Sequence, residues 1–125
     1  MKIAIVTEDG TTISQHFGMA PNYLVATIEN GEVTHKELRA KASHQQGHHG
    51  HAHQHGGAEA RGLHASMAAP IADCRLVLAG GMGHGAYLSL KSAGIQPMLT
   101  DILNIDDALQ AYLAGTLQDV DERLH

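Results

Sequence analysis

A run of glycines between two apolar segments constrains the fold more than any other part of the sequence. Residues 75–79 are mostly apolar, which is typical of a strand buried on both faces, and glycines follow at positions 80, 81, 83 and 85. Residues 86–93 carry apolar side chains at helical spacing, Gly94 lies where a helix C-cap glycine belongs, and residues 95–99 are apolar again. This segment therefore predicts a strand, a glycine loop, a helix and a second strand.

The predicted loop joins the carboxyl end of a strand to the amino end of a helix, where free N–H groups and the helix dipole favour anions. It lacks the Lys-Ser/Thr pair of a P-loop, which argues against phosphate transfer. Gly81 to Ala86 fits the G-x-G-x-x-A dinucleotide pattern, with Asp101 further on, but no second mononucleotide-binding half follows. Three interpretations stay open: a tight turn, a dinucleotide site, and a site for a larger anion with His84 at its rim.

Length, charge and cysteine content restrict the class of protein. A chain of 125 residues predicts one domain, and its net charge of -5 argues against binding to duplex nucleic acid. No apolar run approaches the ~20 residues of a membrane span, and the first residues lack the pattern of a secretory signal. The single cysteine, Cys74, excludes an internal disulfide and is expected to be a small core residue. We therefore expect a cytoplasmic protein.

The rest of the pattern predicts a mixed sheet. Residues 2–7, 23–28 and 33–38 are strand-like, and Asn30-Gly31 between the last two favours a tight hairpin. Asn104 is a good helix N-cap, and an amphipathic helix follows it as far as Gly115. The order of these elements indicates antiparallel strands at one edge, parallel strands at the other, and helices on the faces.

A histidine-rich segment interrupts this pattern. Residues 44–55 contain six histidines, and residues 40–57 offer no core face, so we expect a mobile loop inserted into a single domain of residues 1–115. Residues 58–69 predict a helix, and residues 116–125 predict an acidic tail with one loose helical turn. The segment is either a passive loop or a site for Zn, Ni or Cu ions, because neutral imidazole suits these metals. The candidate metal ligands are His44, His48, His49, His51, His53 and His55.

Several separate motifs resemble the dinitrogenase iron–molybdenum cofactor biosynthesis family. This family includes the nitrogenase accessory cofactor carriers, the C-terminal domain of NifB, and the orange protein of sulfate reducers, which carries a molybdenum–copper sulfide cluster. The motifs are residues 1–6, His16-Phe17-Gly18 with Ala20-Pro21, residues 79–83 with Gly85-Ala86-Tyr87, Ala93-Gly94-Ile95, and Ala111-Tyr112-Leu113. The resemblance covers nearly the whole chain except the histidine-rich segment and the tail.

The resemblance implies a ribonuclease-H-like α/β fold: a five-stranded mixed sheet, three strands antiparallel and then two parallel, with helices on both faces. Nuclease activity is not expected, since Ile3 and Ile5 stand where the nucleases of this fold carry a carboxylate. The implied function is non-catalytic carriage of an anionic molybdenum-containing metal–sulfur cluster, either Mo-Fe-S or Mo-Cu-S. The expected partner is a cofactor-assembly or acceptor protein, and the expected oligomeric state is a monomer or weak dimer.

We place the cluster between two loops, because the strands that precede them are expected to be parallel and to end at the same sheet edge. The proposed contacts are His16, Phe17, Gly18, Gly80, Gly81, Met82, Gly83, His84 and Gly85. The alternative function is a metal-ion buffer or chaperone that binds Zn, Ni or Cu through the histidine-rich segment.

Overall fold

The computed structural model describes residues 1–41 and 68–124. The histidine-rich segment, with the six candidate metal ligands, and nearly all of the helix predicted over residues 58–69 lie outside the described residues. The described elements are β1 (Lys2–Thr7), β2 (Asn22–Glu29), β3 (Glu32–Ala40), β4 (Leu76–Ala79), α1 (His84–Ser92), β5 (Gln96–Leu99) and α2 (Ile105–Ala114), with 3-10 turns at Ala69–Ile71 and Asp121–Arg123.

The strands form one five-stranded sheet in the order β3-β2-β1-β4-β5. Strand β2 pairs antiparallel with both β1 and β3, whereas β1 and β5 pair parallel with β4. The predicted mixed sheet, with three antiparallel strands followed by two parallel ones, is therefore confirmed. Its central strand, β1, is buried from Ile3 onward, as its run of β-branched residues indicates.

Each face of the sheet carries its own hydrophobic core, because successive side chains of a strand point to opposite faces. On β1, Ala4 and Val6 enter one core and Ile3 and Ile5 enter the other. Helix α1 packs on the first face through Leu90, and α2 packs on the second through three side chains. These are Ile105, Ala108 and Leu109. Helices therefore cover both faces, as the sequence predicted.

Local signals in the sequence account for the ends of several elements. Asn30 and Gly31 have φ angles of 54° and 77°, which are the positive values that a type I′ hairpin turn requires. The side chain of Asn104 accepts a hydrogen bond from the Asp107 N–H at 2.9 Å and so caps α2. Gly115 ends α2 with a φ of 78° in the left-handed region.

The C-terminal segment, residues 116–124, packs along β5 and then reaches the glycine loop. The Val120 N–H donates to the Leu99 carbonyl at 2.8 Å, and the Leu99 N–H donates to Asp119 Oδ1 at 2.9 Å. Leu124 then forms a parallel bridge with Met82. The predicted helical turn is limited to the 3-10 turn at Asp121–Arg123. Within residues 1–41 and 68–124, no helix has the length and apolar character needed to cross a membrane.

Candidate functional site

Two loops meet at one edge of the sheet because β1 and β4 are adjacent and parallel, so the chain leaves both strands on the same side. One backbone hydrogen bond ties the first loop to β1, and two more fix the loops to each other. The Ser14 N–H donates to the Val6 carbonyl at 2.8 Å, and the Gly80 N–H donates to the Ser14 carbonyl at 2.8 Å. The Phe17 N–H donates to the Gly81 carbonyl at 3.0 Å. The two loops that the sequence singled out are thus one structural unit.

A depression of about 140 Å³ opens between these loops, and we call it the loop cleft. Six of the nine predicted contact residues line it: His16, Phe17, Gly18, Gly81, Met82 and Gly83. His84 and Gly85 are exposed in the first turn of α1, directly after Gly83, and are not part of the lining. Gly80 is buried behind the cleft. Of the nine predicted contact residues, six therefore line the loop cleft, two lie at the start of α1 and Gly80 lies behind the cleft.

The start of α1 presents backbone donors beside the loop cleft. Gly83 is the N-cap residue, with an extended backbone and no side chain to cap the helix. In the part of the chain that the structure describes, the N–H groups of His84 and Gly85 have no hydrogen-bond partner, as expected in a first helical turn. A Cβ added at Gly83 would meet no atom within 4 Å, so the helix start is open to a bulky ligand.

The N–H groups of the glycine loop itself are less available than the sequence suggested. Met82 donates its N–H to the Arg123 carbonyl at 3.2 Å, and Gly80 donates to Ser14. Both donors are thus used within the protein. The N–H groups at the beginning of α1 are available for an anion, which moves the emphasis of the expected contact from Gly80 toward Gly83.

Gly80 is required for close packing against Gln15. A Cβ at this position would lie 2.4 Å from Gln15 Nε2 and 3.0 Å from the Gln15 Cα. The Gln15 Oε1 accepts a hydrogen bond of 2.8 Å from Arg123 Nη1, which also donates to the Gly80 carbonyl at 3.2 Å. Among the described residues, the buried Gln15 Nε2 has no partner. This amide leaves an unpaired donor behind the cleft.

Lys41 is a component of the site that sequence reasoning missed. Its side chain is only 2% exposed, and its ammonium group donates to the Phe17 carbonyl. The Nζ atom lies 4.1 Å from the centroid of the Phe17 ring and 5.3 Å from that of Tyr23. Burial lowers the pKa of Lys41 to about 8. A lysine at the border of a polar segment gives no periodic signal that could have predicted this burial.

A second, larger depression of about 340 Å³ shares His16 with the loop cleft and includes two carboxylates in its lining. Glu8 and Asp9 line it. Backbone hydrogen bonds from Thr12 and Thr11 lower the pKa of Asp9, so this carboxylate is charged at neutral pH. Negative charge disfavours an anionic ligand, and the smaller loop cleft is the better candidate for one.

Cys74 does not line the loop cleft. It is 4% exposed and belongs to the core that contains Phe17 and Tyr23, in agreement with the predicted core role. Burial raises the pKa of its thiol to about 11, so the thiolate form is rare at neutral pH. Across the described ranges, no three side chains of His, Cys, Asp or Glu are grouped to hold a metal ion.

Comparison with known proteins identifies the family of this chain. The family model described as dinitrogenase iron-molybdenum cofactor matches residues 1–115. The chain belongs to this family. The resemblance seen in the sequence motifs is thus confirmed, and membership of the dinitrogenase iron–molybdenum cofactor family supports a role in the binding or biosynthesis of a metal–sulfur cofactor.

Relatives of similar length share the whole domain. An uncharacterized protein of Methanocaldococcus jannaschii, MJ0580, is 29% identical over 118 residues, which cover 94% of this chain and 90% of the relative. The crystal structure of PH0822 superposes with a TM-score of 0.71 at 22% identity and covers 96% of both chains. The apo form of the orange protein from Desulfovibrio gigas gives a TM-score of 0.70 at 21% identity, covering 95% of this chain and 92% of that one. These two structures show the same fold.

Proposed function

We propose that this protein is a non-catalytic carrier that binds an anionic, molybdenum-containing metal–sulfur cluster as cargo in the loop cleft. The observation that carries the proposal is the meeting of residues 16–18 with residues 81–83 beside an uncapped helix start. Family membership supports a metal–sulfur cofactor as the ligand class. Either a Mo-Fe-S or a Mo-Cu-S cluster is compatible with the donors described.

The residues present fit such a cargo. The free N–H groups of His84 and Gly85 are suited to anionic sulfide or oxide, since helix starts carry partial positive charge. The imidazoles of His16 and His84 are exposed, so each can bind a metal or donate to a sulfide. The open space at Gly83 lets the cluster approach the backbone.

The same residues suit reversible binding. A cluster held by several thiolates would be difficult to transfer, whereas the one cysteine of this chain is buried away from the cleft. Backbone hydrogen bonds and at most two imidazoles give a weaker and exchangeable attachment. A carrier that receives its cargo from an assembly protein and passes it to an acceptor needs such attachment.

A reconstitution experiment with matched variants tests this function. The protein is incubated with tetrathiomolybdate, sulfide and either iron or copper, and molybdenum and visible absorption are measured after gel filtration. A Cβ at Gly83 would meet no atom within 4 Å, so we expect Gly83→Val to fill the open space, to retain at least tenfold less molybdenum and to keep the fold. Ala93→Val, an exposed change at the opposite end of α1, is the control and should retain molybdenum like the wild type.

The result tests the carrier function and the location of the cluster site separately. Wild-type protein that elutes without molybdenum or sulfide would contradict the carrier function. Equal retention by the wild type and Gly83→Val would show that the cluster binds elsewhere.

The histidine-rich segment supports a second candidate, a buffer or chaperone for bare metal ions. Six imidazoles within twelve residues give several ligand sets for Zn, Ni or Cu. Calorimetry with these ions on the wild type and on a variant with all six histidines changed to asparagine measures this activity. We expect the variant to lose ion binding and to keep cluster retention. Loss of cluster retention in this variant would favour one shared metal site.

A further inference from the structure

The buried ammonium of Lys41 has hydrogen-bond and aromatic partners but no counter-ion in the described structure. Its backbone N–H donates to the Pro21 carbonyl at 3.0 Å, which holds the residue against the loop before β2. Its side chain then passes beneath the Phe17 ring and donates to the Phe17 carbonyl. Within residues 1–41 and 68–124, the ion pairs involve other side chains, and none includes Lys41.

This arrangement is unfavourable for the isolated domain. A buried charge without a partner of opposite sign loses its hydration and is destabilising. The faces of Phe17 and Tyr23 and one carbonyl oxygen compensate only in part, because they carry partial charges. The lowered pKa of Lys41 reflects the same loss of hydration. An anion bound nearby would compensate the charge of the Lys41 ammonium.

The loop cleft is where such an anion would lie, since Phe17 both contacts Lys41 and lines the cleft. We propose that Lys41 is an electrostatic positioning residue for the cargo: its ammonium supplies positive charge behind the wall formed by residues 16–18 and holds the Phe17 carbonyl in place. This inference rests on the proposed binding of an anionic cluster in the cleft.

The proposal predicts that cargo binding and protonation of Lys41 favour each other. The two negative charges of tetrathiomolybdate, roughly 12 Å from the ammonium in a cleft open to solvent where the effective dielectric constant is about 40, change the affinity by about tenfold in total. Tenfold coupling raises the pKa of Lys41 by about one unit, from about 8 toward about 9. Binding therefore takes up a proton, and the affinity falls as the pH rises through this range.

Neighbouring groups do not produce the same pH dependence. Four of them keep one charge state between about pH 7 and about pH 9.5. These are Tyr23, Cys74, Arg39 and Asp73. Burial raises the pKa of both Tyr23 and Cys74, so they stay neutral, whereas Arg39 and Asp73 form an ion pair and stay charged. A His16 variant serves as the control for the imidazole that lines the cleft.

The test uses tetrathiomolybdate as the probe and measures its affinity by calorimetry between about pH 7 and about pH 9.5. Wild-type affinity should fall by about tenfold across this range. Lys41→Met should bind about tenfold more weakly at neutral pH and show no decline. His16→Gln should bind more weakly yet keep the decline. Lys91→Met removes an exposed lysine that also lies over an aromatic ring, Tyr87, and should match the wild type.

Two further measurements separate binding from folding. Lys41→Met should be at least as stable as the wild type, because it removes an unpaired buried charge; a purely structural lysine would give a loss of stability. In wild-type protein with ¹³C-labelled lysine, NMR titration of Lys41 should give a pKa near 8 without the probe and about one unit higher with it. This second measurement needs no variant.

Each outcome decides one question. If the wild type binds no tetrathiomolybdate, the proposed function and this inference both fail. If the wild type binds it but Lys41→Met keeps the affinity and the pH profile, only the role of Lys41 is wrong. An unchanged Lys41 pKa on probe binding would contradict the inference in the same way.

Discussion

Substitution of Gly83 by aspartate or by asparagine tests whether an anion binds beside the start of α1, because the two side chains have similar shape but different charge. Gly83 is the N-cap of α1 and has an extended backbone, and a Cβ added there would meet no atom within 4 Å. Aspartate and asparagine have nearly equal volume and are equally good N-cap residues. Both should raise the free energy of unfolding by about 1 kcal/mol, through capping and through a less flexible unfolded chain.

The two variants differ in the charge that they place at the helix start. An aspartate carboxylate about 5 Å from the dianionic probe tetrathiomolybdate, at an effective dielectric constant of about 40 for this exposed position, opposes binding by about 3 kcal/mol in total. The asparagine side chain caps the same N–H donor and fills the same open space, but it adds no charge. We therefore expect Gly83→Asp to bind roughly a hundredfold more weakly than Gly83→Asn. High salt should reduce this difference, since the site is exposed.

Calorimetry with tetrathiomolybdate and thermal unfolding of the same samples give both quantities. The expected melting temperatures of the two variants are equal and about 3–5 °C above that of the wild type. Equal affinity of the two variants would refute the reasoning, because it would show that no anion lies beside the start of α1. A loss of stability in both variants would show that Gly83 is constrained by packing.

Three other substitutions test the packing around the site. Gly80→Ala should lower the free energy of unfolding by about 2–3 kcal/mol in urea denaturation, because Gln15 must move and its bond to Arg123 is lost; an unchanged midpoint would show that the loops have room. Arg123→Met should cost about 1–2 kcal/mol in the same assay, and full stability would mean that the C-terminal segment is not held there. Hydrogen bonding to Arg39 lowers the pKa of Asp73 below its unfolded value, so the half-exposed pair stabilises above about pH 4 and this contribution is lost as the pH falls. Asp73→Asn should therefore cost about 0.5–1 kcal/mol at neutral pH and little at about pH 2 in acid-unfolding curves, whereas an equal cost at both values would point to packing.

The order and pairing of the strands could be predicted because local signals agree with the global pattern. A β-branched run indicated β1, a short apolar run indicated β4, Asn30-Gly31 indicated the hairpin, and Asn104 and Gly115 bounded α2. The meeting of the two loops was expected from the parallel pairing of β1 and β4, which the family resemblance implied and the structure shows. The separate elements need only the period of the sequence, whereas the central place of β1 in the sheet came from the resemblance.

The remaining features of the site depend on contacts between distant residues, which no local pattern reports. Arg123 and Gly80 are 43 residues apart in sequence, and Lys41 and Phe17 are 24 apart. The ligand contact at Gly80 stays a prediction, and the structure adds a packing role of this glycine against Gln15 that the sequence did not indicate. Metal binding by the histidine-rich segment stays a prediction, because that segment lies outside the described residues.

Metal and sulfide analysis of untagged protein purified from its own organism tests the carrier function most directly. The proposed function predicts molybdenum together with acid-labile sulfide and visible absorption in the wild type, and a strong loss of all three in Gly83→Val produced in the same host. Protein that contains only bare divalent ions, without sulfide and without dependence on Gly83, would contradict it.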